Sequence, residues 1–384
     1  MTIHRASSAL HISLWALLTC IPAVGLSQAG VSADSILVGQ SAPLTGSLAE
    51  FGKSARIGSL AYLQTVNASG GVHGRRIELR TLDDGGDAKR TVQNVTRLIE
   101  QDRVLLIFGL VEGGPTSAAV PVITERKVPL VGSMAGSPGL RRPLNRYVFN
   151  VRAEHMEEFR AMLNLANTYG LRRIGFLHSD SDVGRAHLEN VRRIAAELGM
   201  QVVLPAPLKS GASDADLHEI ANRIVADKVE VFFNHGSYTS FAQVVQQARK
   251  LGAATHFLAV NSGSSELARL LGDQGSGIVF AQIMPLPYSR TTELATEYQR
   301  AMKRHFPNEP LSYASLEAYA SAKVMVEGFR RAGRNLAREE FVAALETLGT
   351  FDLGGVLVRY SPSSHVGSTF VDLVIYNKSG RFVN

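Results

Sequence analysis

The sequence predicts an α/β protein of two doubly wound parallel-sheet lobes, on three observations. From Ser35 onward, short β-branched or aliphatic runs alternate with amphipathic helical segments, the rhythm of a parallel sheet covered on both faces. The series runs twice, with Tyr147–Val151 leading from the first into the second. No Pro/Gly/Ser linker, internal repeat or low-complexity segment divides the chain, so the lobes are expected to be joined by close crossovers rather than strung like beads.

In the first series strands are expected at Ile36–Gly39, Arg76–Leu82, Val104–Gly109 and Val128–Val131. Helices are expected between them at Lys53–Val66, Ala88–Glu100 and Thr116–Arg126, and Val92, Val95 and Ile99 share one face of the second. The second series has strands at Arg173–Leu177, Met200–Leu204, Val229–Asn234 and His256–Val260. Its helices are Val183–Leu198, Asp214–Ala226 and Ser240–Leu251, the first with an apolar stripe of Leu188, Val191, Ala195 and Leu198. The tail breaks the alternation, with two long helices near Thr292–His305 and Leu316–Ala332 before strands at Val356–Tyr360 and Phe370–Tyr376.

At 384 residues, 45% hydrophobic and 19% charged, the chain is long enough for two cores. Its net charge of +6 is carried by scattered doublets such as Arg141–Arg142 and Arg330–Arg331 without interleaved aromatics, which argues against a nucleic-acid partner. A basic start at Arg5, an apolar run from Ala9 to Leu26 and small residues before Ala29 and Ala33 read as a secretory leader over residues 1–33, cut after Ala29 or Ala33. An uncleaved anchor fits less well, because the run is short and Pro22 interrupts it. Cys20 is the only cysteine and lies in the leader, which removes a disulfide scaffold or zinc–thiolate site from the mature chain. The expected place is the periplasm.

Catalytic patterns fall away one by one. Gly46 to Gly52-Lys53-Ser54 has five residues between the glycines where a phosphate loop needs four. Asp83-Asp84-Gly-Gly-Asp87 lacks the acid spacing of a calcium hand, and Asp87 reads as a helix N-cap. His178, Asp180 and Asp182 share a loop, yet nothing adjacent offers a nucleophile. No enzyme, cofactor or metal is expected. Two glycine-rich loops at strand ends are more informative: Leu110 to Ser117, with Gly113 and Gly114 exposing backbone amides before a helix, and Gly132 to Pro138. Both should open at the carboxyl edge of one sheet, where open α/β sheets bind ligands.

At these residues the sequence resembles the leucine/isoleucine/valine-type solute-binding proteins of bacterial ABC importers. The likeness is carried by Ile36-Leu-Val-Gly-Gln-Ser-Ala-Pro-Leu-Thr-Gly-Ser, Asn67-Ala-Ser-Gly-Gly-Val-His-Gly-Arg-Arg-Ile, Leu82-Asp-Asp-Gly-Gly-Asp, Pro129-Leu-Val-Gly-Ser through Arg142, Tyr147-Val-Phe-Asn-Val-Arg, Phe351-Asp-Leu-Gly-Gly and His365-Val-Gly-Ser. The resemblance implies the type I periplasmic-binding-protein fold, two lobes joined by three crossovers, placed here near Arg152, Met284 and His365. Lobe 1 would be 34–152 plus 285–365, and lobe 2 153–284 plus 366–384. It also implies a monomer that closes on a small carboxylate-bearing or amino-acid-like ligand and delivers it to ABC permease subunits in the membrane.

By the same resemblance the family's carboxylate-binding serine falls on Gly113, beside Gly114, and its following loop on Met134, Ala135 and Gly136. Phe51 supplies an aromatic near the first helix; the second lobe contributes Val183 and either Ser237 or Tyr238, and Tyr313 a further wall. The chain departs from the family where it matters for charge. The acid that pairs with a bound ammonium aligns with Asn261, the threonine with Gly136 and the serine with Gly113. An unpaired buried ammonium costs several kcal/mol, so either Glu112 or Asp182 takes over, or the ligand lacks an amino group. An extracytoplasmic sensor of the same fold is the alternative function; an exported hydrolase would need a nucleophile–base pair that is not found.

Overall fold

The computed structural model describes residues 1–2, 29–209, 211–261 and 263–383. The apolar leader run and Cys20 lie outside them. The first series runs β1 (Ser35–Ala42), α1 (Ala49–Ala68), β2 (Arg76–Asp83), α2 (Ala88–Glu100), β3 (Leu106–Phe108), α3 (Gly113–Glu125), β4 (Leu130–Val131) and β5 (Val148–Phe149). Its strands form a five-stranded parallel sheet in the order β2-β1-β3-β4-β5. The central β3 is Leu-Ile-Phe and wholly buried, as a parallel strand covered on both faces must be. Asp87 caps α2 by accepting from the Arg90 amide at 2.8 Å, and Val95, Leu98 and Ile99 face the core.

The second series runs α4 (His155–Thr168), β6 (Arg173–Ser179), α5 (Asp182–Glu197), β7 (Gln201–Leu208), α6 (Asp214–Ala226), β8 (Val231–His235), α7 (Tyr238–Lys250), β9 (His256–Ala259), α8 (Ser264–Leu271) and β10 (Val279–Gln282). The chain then returns to the first sheet with α9 (Glu293–His305), α10 (Tyr313–Ala332) and α11 (Arg338–Glu346). A small antiparallel sheet of β11 (Gly349–Asp352), β12 (Leu357–Ser361) and β13 (Ser364–Gly367) follows. The hairpin of β14 (Asp372–Tyr376) and β15 (Phe382–Val383) completes the second sheet, ordered β15-β14-β10-β9-β8-β6-β7 with β14 antiparallel to β10. The architecture is the type I α/β fold expected from the sequence.

Both sheets reverse their strand order once, between β1 and β3 and between β6 and β8. Those switch points are where crevices open at the carboxyl ends of parallel strands. The chain passes between the sheets at 150–154, 283–292 and 368–371. The first and third passages lie side by side: the Asn150 amide donates to the His365 carbonyl at 3.1 Å and the Ser368 amide to that of Val151 at 2.9 Å. His365 stacks on Phe149 with ring centroids 3.9 Å apart. A Cβ on Gly367, whose φ is 87°, would collide with the Asn150 carbonyl.

Three helices go beyond the sequence expectation. α4 buries Phe159, Met162, Leu163 and Ala166 at helical spacing, α8 has eight residues, and α11 packs Phe341 against Phe329 of α10. Helix α10 is buried on most of its circumference and meets α1 where Gly58 leaves room for the Ser315 carbonyl. Among the described residues no helix is long and apolar enough to cross a membrane.

Candidate functional site

A cavity of about 680 Å³ opens between the sheets at the two switch points. Ser47 to Phe51 follow β1, Glu112 to Gly114 follow β3, and Met134, Ala135 and Ser137 follow β4. From the second sheet come Ser179 at the end of β6 with Ser181 and Val183 after it, His235 at the end of β8 with Gly236 to Thr239 after it, and Gly263 and Glu266 after β9. The helices α1, α3, α5, α7 and α8 begin at its wall, so their partly positive N-terminal ends converge there. Gly113 and Gly114 occupy the first turn of α3, where amides have no partner inside the helix.

Of the residues read from the sequence, the structure brings Phe51, Gly113, Gly114, Met134, Ala135, Val183 and Tyr238 to this cavity, and Ser237 with them. The Ser237 hydroxyl accepts from the Ser240 amide at 3.2 Å as the N-cap of α7. Tyr238 lies across the start of α8, because a Cβ on Gly263 (φ 69°) would stand only 2.5 Å from its ring.

Gly136, Asn261 and Tyr313 lie elsewhere. Gly136 sits behind the wall, where a Cβ would come within 2.8 Å of the His155 ring. Asn261 is buried and engaged: its side-chain oxygen accepts from Arg152 Nη2 at 2.7 Å, and its amide donates to Glu158 Oε2 at 2.8 Å. Arg152 also donates to Glu158 Oε1 at 2.9 Å and stands 3.7 Å from Glu317. Tyr313 lines a separate cavity with Tyr288 and Phe382. Asp182 points away from the cavity and pairs with Arg185 at 2.6 Å, its side chain fully exposed.

Of the two acids named as stand-ins, Glu112 lines the cavity. It holds φ at 68°, a left-handed backbone uncommon for a residue with a Cβ, and takes the N-cap position of α3 without a side-chain capping bond while facing the cavity. Its carboxylate accepts no hydrogen bond from a described residue. Burial pushes its pKa up, while the charge of Arg152 pulls it back down. With Glu50 and Glu266 it makes the described lining acidic, and that lining contains no lysine or arginine.

Two further residues stand where glycines left room. A Cβ on Gly113 would collide with the hydroxyl of Ser137, so that hydroxyl occupies the start of the missing side chain. The His155 imidazole likewise fills the space beside Gly136, with Nδ1 2.9 Å from Glu158 Oε1. Burial holds His155 and His235 well below the usual imidazole pKa, with neighbouring charges acting the same way. A neutral His155 that donates through Nδ1 keeps Nε2 as an acceptor. No sequence motif marks Ser137 or His155; their only signal was proximity in the chain to the second glycine loop and the first crossover.

The acids of the Asp83–Asp87 loop are already used. Asp83 accepts from the amides of Leu44, Thr45 and Gly85 and from the Thr45 hydroxyl; these bonds outweigh its desolvation and bring its pKa to about 2. Asp84 takes Ser41 and Thr91. They tie the loop after β1, which leads into α1, to β2.

The family model for periplasmic binding proteins matches residues 35–380. The leucine-, isoleucine-, valine-, threonine- and alanine-binding protein of Pseudomonas aeruginosa is 23% identical over 330 residues, 85% of this chain and 86% of that one. A substrate-binding periplasmic protein from Ralstonia solanacearum superposes with a TM-score of 0.82 at 27% identity, covering 91% of this chain and 99% of that one. A branched-chain amino acid ABC transporter protein from Thermus thermophilus, solved with bound valine, gives a TM-score of 0.80 at 20% identity, over 91% and 95% of the two chains.

Proposed function

The chain belongs to the periplasmic binding protein family, non-enzymatic solute binders, and from that premise we propose that it captures an amino-acid-like solute between its lobes for an ABC importer of the branched-chain type. The observation that carries this reading is the Glu112 carboxylate, without a hydrogen-bond partner among the described residues, in a cavity with converging helix ends and no described cationic side chain. A ligand with only a carboxylate would face three acids. A zwitterion satisfies both features, its carboxylate on the Gly113 and Gly114 amides and its ammonium on Glu112.

Each departure from the family's pattern then has a stand-in. Glu112 supplies the counter-charge that Asn261 lacks, since the Asn261 side chain is held by Arg152. Ser137 offers the hydroxyl missing at Gly113, and His155 Nε2 the acceptor missing at Gly136. Phe51, Val183 and Tyr238 surround the ligand's side chain. The names of the Pseudomonas and Thermus relatives, which speak of amino acids, agree with this reading.

The protein works in the periplasm as a monomer, its leader cut after Ala29. That site keeps Gly30, whose carbonyl accepts from the Leu37 amide at 2.7 Å, and Val31, which bridges to Ile36; a cut after Ala33 removes both.

The test is a thermal-shift and calorimetric screen of the mature protein against aliphatic amino acids, the same acids without the amino group, and the matching amines. Amino acids should raise the melting temperature by mass action and the other two sets should not. Stabilisation by the carboxylates alone would remove the ammonium from the reading and leave the clamp. Turnover of none of these is expected.

A further inference from the structure

A second cavity, of about 640 Å³, lies on the other face of α8 and shares no lining residue with the first. Ser265, Ala268 and Arg269, at helical i, i+3, i+4 spacing, turn toward it, whereas Glu266 turns to the first cavity. Its walls are aromatic. Tyr313 and Tyr376 both pack against Phe382, with ring centroids 5.8 and 5.4 Å apart. The half-exposed Tyr288 donates to the Phe382 carbonyl at 3.1 Å.

Two features of this cavity are unused by the fold. The guanidinium groups of Arg269 and Arg381 have no ion pair or hydrogen bond to a described residue. The hydroxyl of Tyr313, a residue only 5% exposed, is buried without a partner among the described residues. A buried hydroxyl left unpaired is costly, and two unpaired guanidiniums beside aromatic faces match a planar anion in both charge and shape.

We propose that this cavity is a second binding site, for an aromatic carboxylate. The carboxylate pairs with Arg269 and Arg381, the ring lies against Tyr288, Tyr376 and Phe382, and the Tyr313 hydroxyl donates to a polar ring substituent. Burial, with Tyr288 and Asp372 acting in the same direction, raises the pKa of Tyr313 and keeps that hydroxyl a donor. Tyr313 belongs to α10 over the first sheet, whereas Arg269 and Arg381 belong to elements of the second. A molecule bound here therefore bridges the halves that close on the first cavity.

The experiment is calorimetric titration of the mature protein with 4-hydroxybenzoate. Saturable binding is expected, weakened at least about tenfold in the Arg269→Gln/Arg381→Gln double variant by loss of the charge-assisted bonds, and several-fold in Tyr313→Phe. The neutral 4-hydroxybenzyl alcohol should bind at least about tenfold more weakly for the same reason. The double variant should bind amino acids as the parent does, which separates this site from the first cavity. Absence of binding at millimolar 4-hydroxybenzoate overturns the proposal. So does binding that survives the double variant, or binding lost in Tyr238→Ala, because Tyr238 lines only the first cavity and the probe would then sit there.

Discussion

The two walls of the main cavity are built differently. On the first-sheet side the glycine loops are pinned from behind: Arg141 donates to the carbonyls of Ala135 and Ser137 at 3.3 and 3.1 Å and to that of Arg152 at 2.9 Å. The His155 amide reaches the Gly136 carbonyl at 3.1 Å, and Val111 bridges to Met134. On the second-sheet side Val183 is 48% exposed, and Ser181 and Ser237 bond chiefly within their own helix starts. One wall is fixed by these bonds; the other, under the proposed function, offers surface that a closing motion can bring down. Under the proposed clamp the first wall reads the polar head, and the second grips what projects from it.

That division of labour is most sharply exposed by Glu112→Gln. The variant should weaken amino-acid binding by about 3 kcal/mol, roughly a hundredfold, by calorimetry. Unchanged affinity would show that the polar head is not read at the first wall.

Acid should loosen the support shared by both walls. His187 of α5, wholly buried, lies 4.0 Å from His235, which lies 4.5 Å from His155. Burial lowers the His187 pKa from 6.5 to about 4. Because the unfolded chain takes up that proton first, stability is present above pH 6.5 and falls as pH drops toward about 4. The loss from His187 alone is of order 3 kcal/mol, and His155 and His235 act in the same direction. Denaturant unfolding across that window checks it; His187→Leu should flatten part of the slope, and a slope that is unaltered would place the proton uptake elsewhere.

On the second wall, Tyr238→Ala should cost about 1–2 kcal/mol, seen in stopped-flow as faster dissociation with association little changed. An equal effect on association would mean that the second wall also takes part in first encounter. The smallest effect belongs to Ser137→Ala, about 1 kcal/mol for one hydroxyl. Adding Gly113→Ser in that background, where the obstructing hydroxyl is gone, should restore most of the affinity. Failure of that rescue would separate Ser137 from the role assigned to it.

Much of this fold was legible because it rests on periodicity. The helices Ala88–Glu100 and Asp214–Ala226 have the bounds their apolar spacing predicts, and β3 reads as an unbroken apolar run. Helix α4 went unread although Phe159, Met162, Leu163 and Ala166 carry the signal, since it follows a passage between sheets where the strand–helix rhythm lapses. Short α8 has too few turns for periodicity to speak. Within the site, the glycine loops followed from their place at strand ends, and Phe51, Val183 and Tyr238 from the family resemblance. Asn261 did not, because its commitment to Arg152 spans 109 residues. Nor did Tyr313, whose packing partner Phe382 arrives from the far end of the chain.

By itself the sequence determined the α/β class, the doubled series, the glycine loops at strand ends and the family. All of these reside in local order: apolar period, turn residues and short motifs are written by neighbours in the chain. Only the tertiary structure decided which charge faces the cavity. It turned Asp182 outward to Arg185, bound Asn261 to Arg152, left Glu112 without a hydrogen bond from a described residue and put Ser137 and His155 in spaces that two glycines vacate. Burial and pairing across long separations set the state of a titratable group, and no window of sequence contains both partners.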